Sequence, residues 1–264
     1  MKRQASQQPD PRLESLTESI HSSIGSKTGS NPIKHGTIVV KIGGSTLGDH
    51  DTTMQDLVEL QSQGINSVVV HGGGKVISDW MVKQGIRPKF VRGLRVTDQA
   101  SLDIVVAVLT GLVNKGLVAS ISAVGGKSMG ISGADDRMLK AEIQNPELGF
   151  VGRLIDVNRD PIDAVLKMGC IPVIAPVSIN VRASSSDATS LLNVNADTVA
   201  GAIAATLGAD RLVFLTDVEG VLDSSKRLIP RLTARQARGL MTVSYTHLRA
   251  HETEADLVCR LLLE

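Results

Sequence analysis

The chain has 264 residues, 42% of them hydrophobic and 21% charged, with a formal net charge of +1. This is an ordinary globular composition, long enough for one large or two smaller cores, and it implies no broad electrostatic pull on nucleic acid or membrane. Aromatic residues are only 2%, which removes stacking platforms for single-stranded nucleic acid; no apolar run approaches the roughly 18 residues of a membrane span, and no secretory signal core is seen, so a cytoplasmic location is expected.

Residues 1–36 are rich in Ser, Gln, Asn and Pro and read as a polar leader. Within it Asp10-Pro11 followed by Leu13, Leu16, Ile20 and Ile24 gives one short amphipathic helix, with docking on a partner subunit and a disordered tail as the two readings. From Thr37 the pattern is βαβα: strands at 37–42 and 66–71, helices at 52–63 and 75–84, the second closed by Gly85. Such alternation predicts a mainly parallel sheet covered on both faces. Residues 91–98 read as a polar-edged loop. Asp98 then caps a long helix to about Ser120, with Leu102, Val105, Val106, Leu109, Leu112 and Val113 on its buried side.

Gly125-Gly126-Lys127-Ser128 invites a P-loop assignment, but position 121 is Ile where that motif needs Gly. Short β segments are expected at 138–143 and 152–157, around the turn Asn145-Pro146-Glu147. A helix follows at 159–168, and then a strand at 171–177 whose Pro172 and Pro176 suggest a strand end or edge. A second block opens near Ser190 with a helix at 198–207 stopped by Gly208, a strand at 211–215, a polar turn around Asp217, and a last helix opening at Thr233. Cys170 and Cys259 have no His or Cys at ligand spacing, so no disulfide framework or metal centre is expected, and Cys170 reads as a buried inert thiol.

Two strands end in glycines, at Lys41-Ile42-Gly43-Gly44-Ser45 and at His71-Gly72-Gly73-Gly74. Without a Cβ such turns let backbone N–H groups crowd around an anion, and a following helix N-terminus adds positive potential; ordinary βα turns are the plain alternative. Asn193, Asn195 and Asp197 alternate, so an extended segment would aim all three at one ligand, whereas a polar loop with Asp197 as helix cap would need none. Arg95 suits a substrate carboxylate or a surface salt bridge. Asp217 suits a metal, a nucleotide or a turn, and His71 a structural imidazole. No nucleophile is paired with a base. A lysine, glycine amides and a carboxylate suit phosphoryl transfer, where positioning and charge neutralisation carry the barrier.

Five motifs in order, Lys41-Ile-Gly-Gly-Ser, His71-Gly-Gly-Gly, Gly93-Leu-Arg-Val-Thr, Asn193-Val-Asn-Ala-Asp-Thr and Leu215-Thr-Asp-Val-Glu-Gly-Val, resemble the acetylglutamate kinases of the amino-acid kinase family from about Thr37 to Met241. The resemblance implies an open three-layer αβα sandwich. Residues 37–189 would bind N-acetyl-L-glutamate and 190–241 part of ATP, with Mg²⁺ neutralising the phosphates. The reaction would be attack of the side-chain carboxylate on the γ-phosphate to give an acyl phosphate, the second step of arginine biosynthesis. It further implies that Lys41 stabilises the transferring phosphoryl group and that Asp197 orients the catalytic lysines. Gly43, Gly44 and Asp217 would lie against ATP, and Gly72, Gly73, Arg95, Asn193 and Asn195 against the substrate. A homo-oligomer, dimer or hexamer, is also implied. Rival readings are a kinase for a related amino acid, such as an aminoadipate derivative, and a non-catalytic arginine-sensing domain, against which Lys41, Asn195 and Asp197 speak.

After Met241 the family pattern stops, and the glycine-rich turn with a second catalytic lysine is not found. Residues 242–264, which hold Tyr245 and Cys259, instead resemble translated sequencing adapter, so an artefactual tail and impaired turnover of the chain as written are expected. A lineage-specific amphipathic C-terminal helix is the alternative.

Overall fold

Val- and Ile-rich runs form the central sheet because β-branched side chains pack well on a pleat buried on both faces. The computed structural model describes residues 36–43, 52–91, 93–184, 190–216, 220–223, 225, 227–233 and 235–237. The expected N-terminal helix, Gly44, Asp217 and the tail lie outside the described residues.

The strands β1 (Thr37–Ile42), β2 (Asn66–His71), β5 (Ser128–Ser132), β8 (Ile171–Ala175) and β11 (Arg211–Leu215) form one parallel sheet in the order β11-β1-β2-β8-β5. A second sheet, in the order β10-β9-β6-β7, joins β6 (Leu139–Ile143), β7 (Gly152–Val157), β9 (Val177–Asn180) and β10 (Leu191–Asn193). The helices are α1 (Thr53–Ser62), α2 (Gly74–Lys83), the long α3 (Gln99–Ala123), α4 (Asp160–Lys167) and α5 (Ala196–Leu207).

Alternation along the strands divides the core. Val39, Val68 and Val70 face Val199 and Ile203 of α5, whereas Ile38, Val40 and Val69 face Leu57 of α1 and Leu117 and Ile121 of α3. The sheet is therefore covered on both faces, as the βαβα pattern predicts. Gly85 and Gly208 follow the ends of α2 and α5 at φ 76° and 62°, where a side chain would be strained.

Four expectations need correction. Residues 91–98 are not simply a loop, because β3 (Phe90–Val91) and β4 (Leu94–Arg95) pair as a hairpin that turns at Gly93, φ 77°. Of the two readings of the prolines, strand end stands and edge does not: Pro172 is second in β8 and Pro176 follows its last residue, but β8 lies between β2 and β5. The Ile171 N–H donates to Lys127 O on the β5 side, so the position without a donor, Pro172, faces β2 one residue before their pairing begins at Val69 and Val173. Pro176 stands where the chain leaves β8 for the second sheet. Cys170 is half-buried rather than buried.

The fourth correction concerns α3. Asp98 caps it as expected, its carboxylate accepting from Ser101 N at 2.8 Å. Its middle, Ala107–Val113, is a π-helix, however, and the turn's extra residue rotates the remainder of the helix about its axis. Leu112 is therefore exposed and Val106 only half-buried, while Val108 and Asn114 are buried. The 25-residue α3 is also long and apolar enough, with a mean hydropathy of 2.0 over its best window, to cross a bilayer by length and composition, contrary to the expectation from sequence. In the fold, Leu102, Val105, Leu109, Leu117 and Ile121 pack into the core.

Candidate active site

Register places the site. Ile42 pairs with His71 on one side and Leu215 on the other, so β1, β2 and β11 end level at the carboxyl edge of the sheet, where parallel α/β sheets bind ligands. The Gly72 N–H donates to Ile42 O at 3.0 Å and the Gly43 N–H to Leu215 O at 3.1 Å. Gly43 thus extends the sheet with its amide instead of presenting it. Gly126-Lys127 precedes β5, at the opposite edge of the sheet, so the rejected P-loop is far from this crevice.

Lys41 lies on the same face of β1 as Val39, the face covered by α5, and its Nζ is 2.8 Å from Asp197 Oδ1. The two side chains are only 15% and 12% exposed. Each charge is largely desolvated and held by the other, which fixes an ammonium at the strand end. Asp197 is not the cap of α5. Asn195 is, its Oδ1 accepting from Asp197 N at 2.8 Å and Thr198 N at 3.0 Å. The turn into the helix breaks the alternation expected of Asn193, Asn195 and Asp197 and directs the carboxylate toward Lys41 of β1.

The glycine turn after β2 leads straight into α2, whose cap residue is Gly73. A Cβ on Gly73 would stand 2.8 Å from Leu109 Cδ2, so glycine lets α3 approach the turn. At Gly72 a Cβ would be 4.0 Å from the Ala196 Cβ, which brings the start of α5 to the same place. Two helix N-termini and one ammonium therefore converge on the crevice.

Arg95 is buried and, among the described residues, makes no salt bridge of the kind considered from sequence. Its Nη2 donates to Gly74 O and Ser78 Oγ, both at 2.8 Å, its Nη1 to Met81 Sδ at 3.2 Å, and the guanidinium lies 4.7 Å from the centre of the Phe90 ring. Burial pulls its pKa below the ordinary guanidinium value. A cation at a helix N-terminus opposes the helix dipole, an arrangement relieved when an anion binds there. Asn193 Nδ2 donates to Thr97 Oγ1 at 3.4 Å, and Thr97 Oγ1 donates to Arg95 O at 2.9 Å, so these three are also linked.

Thr97, Ser78 and Asn114 were missed from sequence. For Asn114 the signal was a lone amide among the apolar residues of a long helix, and for Thr97 its place at the end of the Gly93-Leu-Arg-Val-Thr motif; for Ser78 there was none. A cavity of about 420 Å³ opens beyond Asn114, between α3 and the end of β5, and is lined by none of the residues expected to bind substrate or ATP.

An open parallel sheet whose carboxyl edge gathers a lysine, glycine turns and two helix N-termini is an anion-handling site of the phosphotransferase kind. The chain belongs to the amino acid kinase family, whose model matches residues 36–252 and so runs past Met241. It is 46% identical over 213 residues to acetylglutamate kinase of a Thermoanaerobacter species, covering 78% of this chain and 69% of that protein. Identity is 44% over 207 residues to acetylglutamate kinase of Cereibacter sphaeroides, at 77% and 69% coverage. Among solved structures, smu.665 of Streptococcus mutans aligns with a TM-score of 0.68 at 28% identity, over 78% of this chain and 82% of that one.

Proposed function

We propose that the protein transfers the γ-phosphoryl group of ATP to the side-chain carboxylate of N-acetyl-L-glutamate, forming an acyl phosphate and ADP, the second step of arginine biosynthesis. The observation that carries this reading is the Lys41–Asp197 pair at 2.8 Å, set beside the Gly72-Gly73 turn and the N-termini of α2 and α5. A fixed ammonium and the positive ends of two helices stabilise charge on a phosphoryl group passing between two oxygens. The names of the 46% and 44% identical relatives support the choice of substrate.

In this reading a carboxylate oxygen of the substrate attacks the γ-phosphorus as the bond to the β-phosphate oxygen breaks. Lys41 faces the transferring group, Asp197 orients Lys41, and the Gly73 and Gly44 amides donate to phosphoryl oxygens. Arg95 and Asn193 hold the substrate's remaining polar groups; Asn195 acts through the start of α5. Gly43, Gly44 and Asp217 border ATP, so that residues 37–189 serve the amino acid and 190–241 the nucleotide. The donor set is cationic and suits phosphate oxygens, so Mg²⁺ enters as part of the MgATP substrate. The reading carries with it a homo-oligomer, dimer or hexamer, measurable by light scattering, and a cytoplasmic location.

The test is hydroxylamine trapping of acyl phosphate from ATP and N-acetylglutamate, using protein from the reading frame re-amplified from source DNA. Hydroxamate formed with N-acetylglutamate in preference to aminoadipate derivatives supports the assignment. No product with any acyl-glutamate analogue would sink it.

A further inference from the structure

His71 ends β2 with its side chain on the α3 face, since Val69 and His71 alternate with Val68 and Val70, which face α5. Asn114, the first residue after the π-helical turn, meets it there, and both are 1% exposed. Asn114 Nδ2 lies 2.8 Å from Val173 O and 3.1 Å from His71 Nε2, while Asn114 Oδ1 accepts from Lys115 Nζ at 3.1 Å. A backbone carbonyl can only accept, so the amide nitrogen must face this side; of its two other neighbours His71 Nε2 at 3.1 Å is nearer than Ile131 O at 3.4 Å and takes the second hydrogen. Nε2 is therefore the acceptor of the ring. In a neutral imidazole the proton then sits on Nδ1, which is 3.0 Å from Gly72 O and donates to it.

Burial favours that neutral ring, holding the His71 pKa down at about 4, with the nearby Lys115 charge acting in the same direction. None of the described peptide bonds is cis. The Gly73 N–H is thus trans to the Gly72 carbonyl and points the opposite way. A carbonyl drawn toward α3 by the imidazole turns that N–H away from α3, to the side of the sheet where Lys41 and Asp197 lie.

We propose that His71 and Asn114 are positioning residues for phosphoryl transfer: Asn114 fixes the His71 tautomer, His71 fixes the Gly72–Gly73 peptide plane, and the Gly73 N–H is thereby aimed at the transferring group. This rests on the phosphotransferase reading, in which that amide is a donor. It assigns a catalytic purpose to a histidine that touches no substrate and to an asparagine from a helix on the far side of the sheet.

Asparagine superposes an amide on the Nδ1 position of histidine, whereas glutamine reaches only toward Nε2. His71→Asn is therefore expected to keep turnover within about 5-fold of wild type, and His71→Gln to lower kcat on the order of 100-fold, the worth of one misdirected oxyanion donor. The KM for N-acetylglutamate should change little in either. Equal losses in the two variants, or a loss carried by KM alone, would overturn the positioning role. Nitrogen-15 spectra of the wild-type imidazole provide a readout free of turnover: protonated Nδ1 is expected, and protonated Nε2 would overturn the tautomer assignment even if both variants folded poorly. With all three proteins made from the re-amplified reading frame, an inactive wild type would sink the phosphotransfer reading itself, a result distinct from an active wild type whose two variants fall together.

Discussion

A buried neutral histidine makes stability depend on pH in a way that one substitution can isolate. His71 has its pKa lowered from 6.5 to about 4 by desolvation. The unfolded chain takes up a proton on this ring as pH falls through 6.5, and the native protein does not until about 4. The contribution is therefore fully present above the unfolded value and is lost as pH falls. The whole shift corresponds to roughly 3 kcal/mol, of which about 2 kcal/mol is lost between about pH 8 and about pH 5. Asp98 also has a lowered pKa, through its bonds to Ser101, but it titrates below this window and is common to both proteins.

Urea unfolding of wild type and His71→Asn at the two pH values gives the assay. Asparagine does not titrate, so the stability advantage of wild type over the variant should shrink by about 2 kcal/mol at the lower pH. An advantage that stays constant, or grows, would show that His71 is charged or solvated in the native state and refute the burial argument.

Lys41→Met strands the Asp197 carboxylate, largely buried, without its cation. It should lower turnover on the order of 100-fold or more and destabilise the fold by about 3 kcal/mol, with stability but not activity recovered in Lys41→Met/Asp197→Leu, as calorimetry and the hydroxamate assay can check. Asn195→Ala removes the cap of α5 and should cost about 1 kcal/mol in urea unfolding, whereas Asn195→Asp or Asn195→Ser should cost little. Arg95→Lys keeps the charge but loses the planar guanidinium, whose Nη2 bonds Gly74 O and Ser78 Oγ while Nη1 bonds Met81 Sδ. The KM for N-acetylglutamate should rise roughly tenfold, the worth of one charge-assisted hydrogen bond.

The central strands were legible from sequence: the bounds of β1, β2 and β11 coincide with their apolar runs, because β1 and β2, buried on both faces, contain little else and β11, half-buried beside them, is nearly as apolar. Helix ends marked by Gly85, Gly169 and Gly208 were equally plain. Features that depend on partners distant in sequence escaped. Pro172 looked like an edge signal, yet one missing donor is harmless in a central strand when it faces a gap in pairing. The surface salt bridge stayed open for Arg95 because its partners on α2, Met81, Ser78 and Gly74, are fourteen residues or more away in sequence. In the site, spacing offered Lys41 and Asp197 separately and only the resemblance implied that Asp197 orients the lysines; the fold sets the two 2.8 Å apart, while the role of Asn195 as cap and of Asp197 as ion partner reverses one of the two readings that spacing left open.

The π-helical turn in α3 also acts as a phase setting. An α-helix advances about 100° per residue, so closing that turn by deleting one residue between Ala107 and Val113 would rotate everything after it by that amount. Leu112, now in solvent, would swing inward, and Asn114 would lose both Val173 and His71. Such a shortened helix would retain nearly all its length, its composition and its backbone bonds, and by ordinary helix criteria it would be improved. The single surplus residue is thus the means by which a regular apolar helix delivers one polar group to one depth in the core, and a gain in helical regularity would be paid in the aim of the glycine turn.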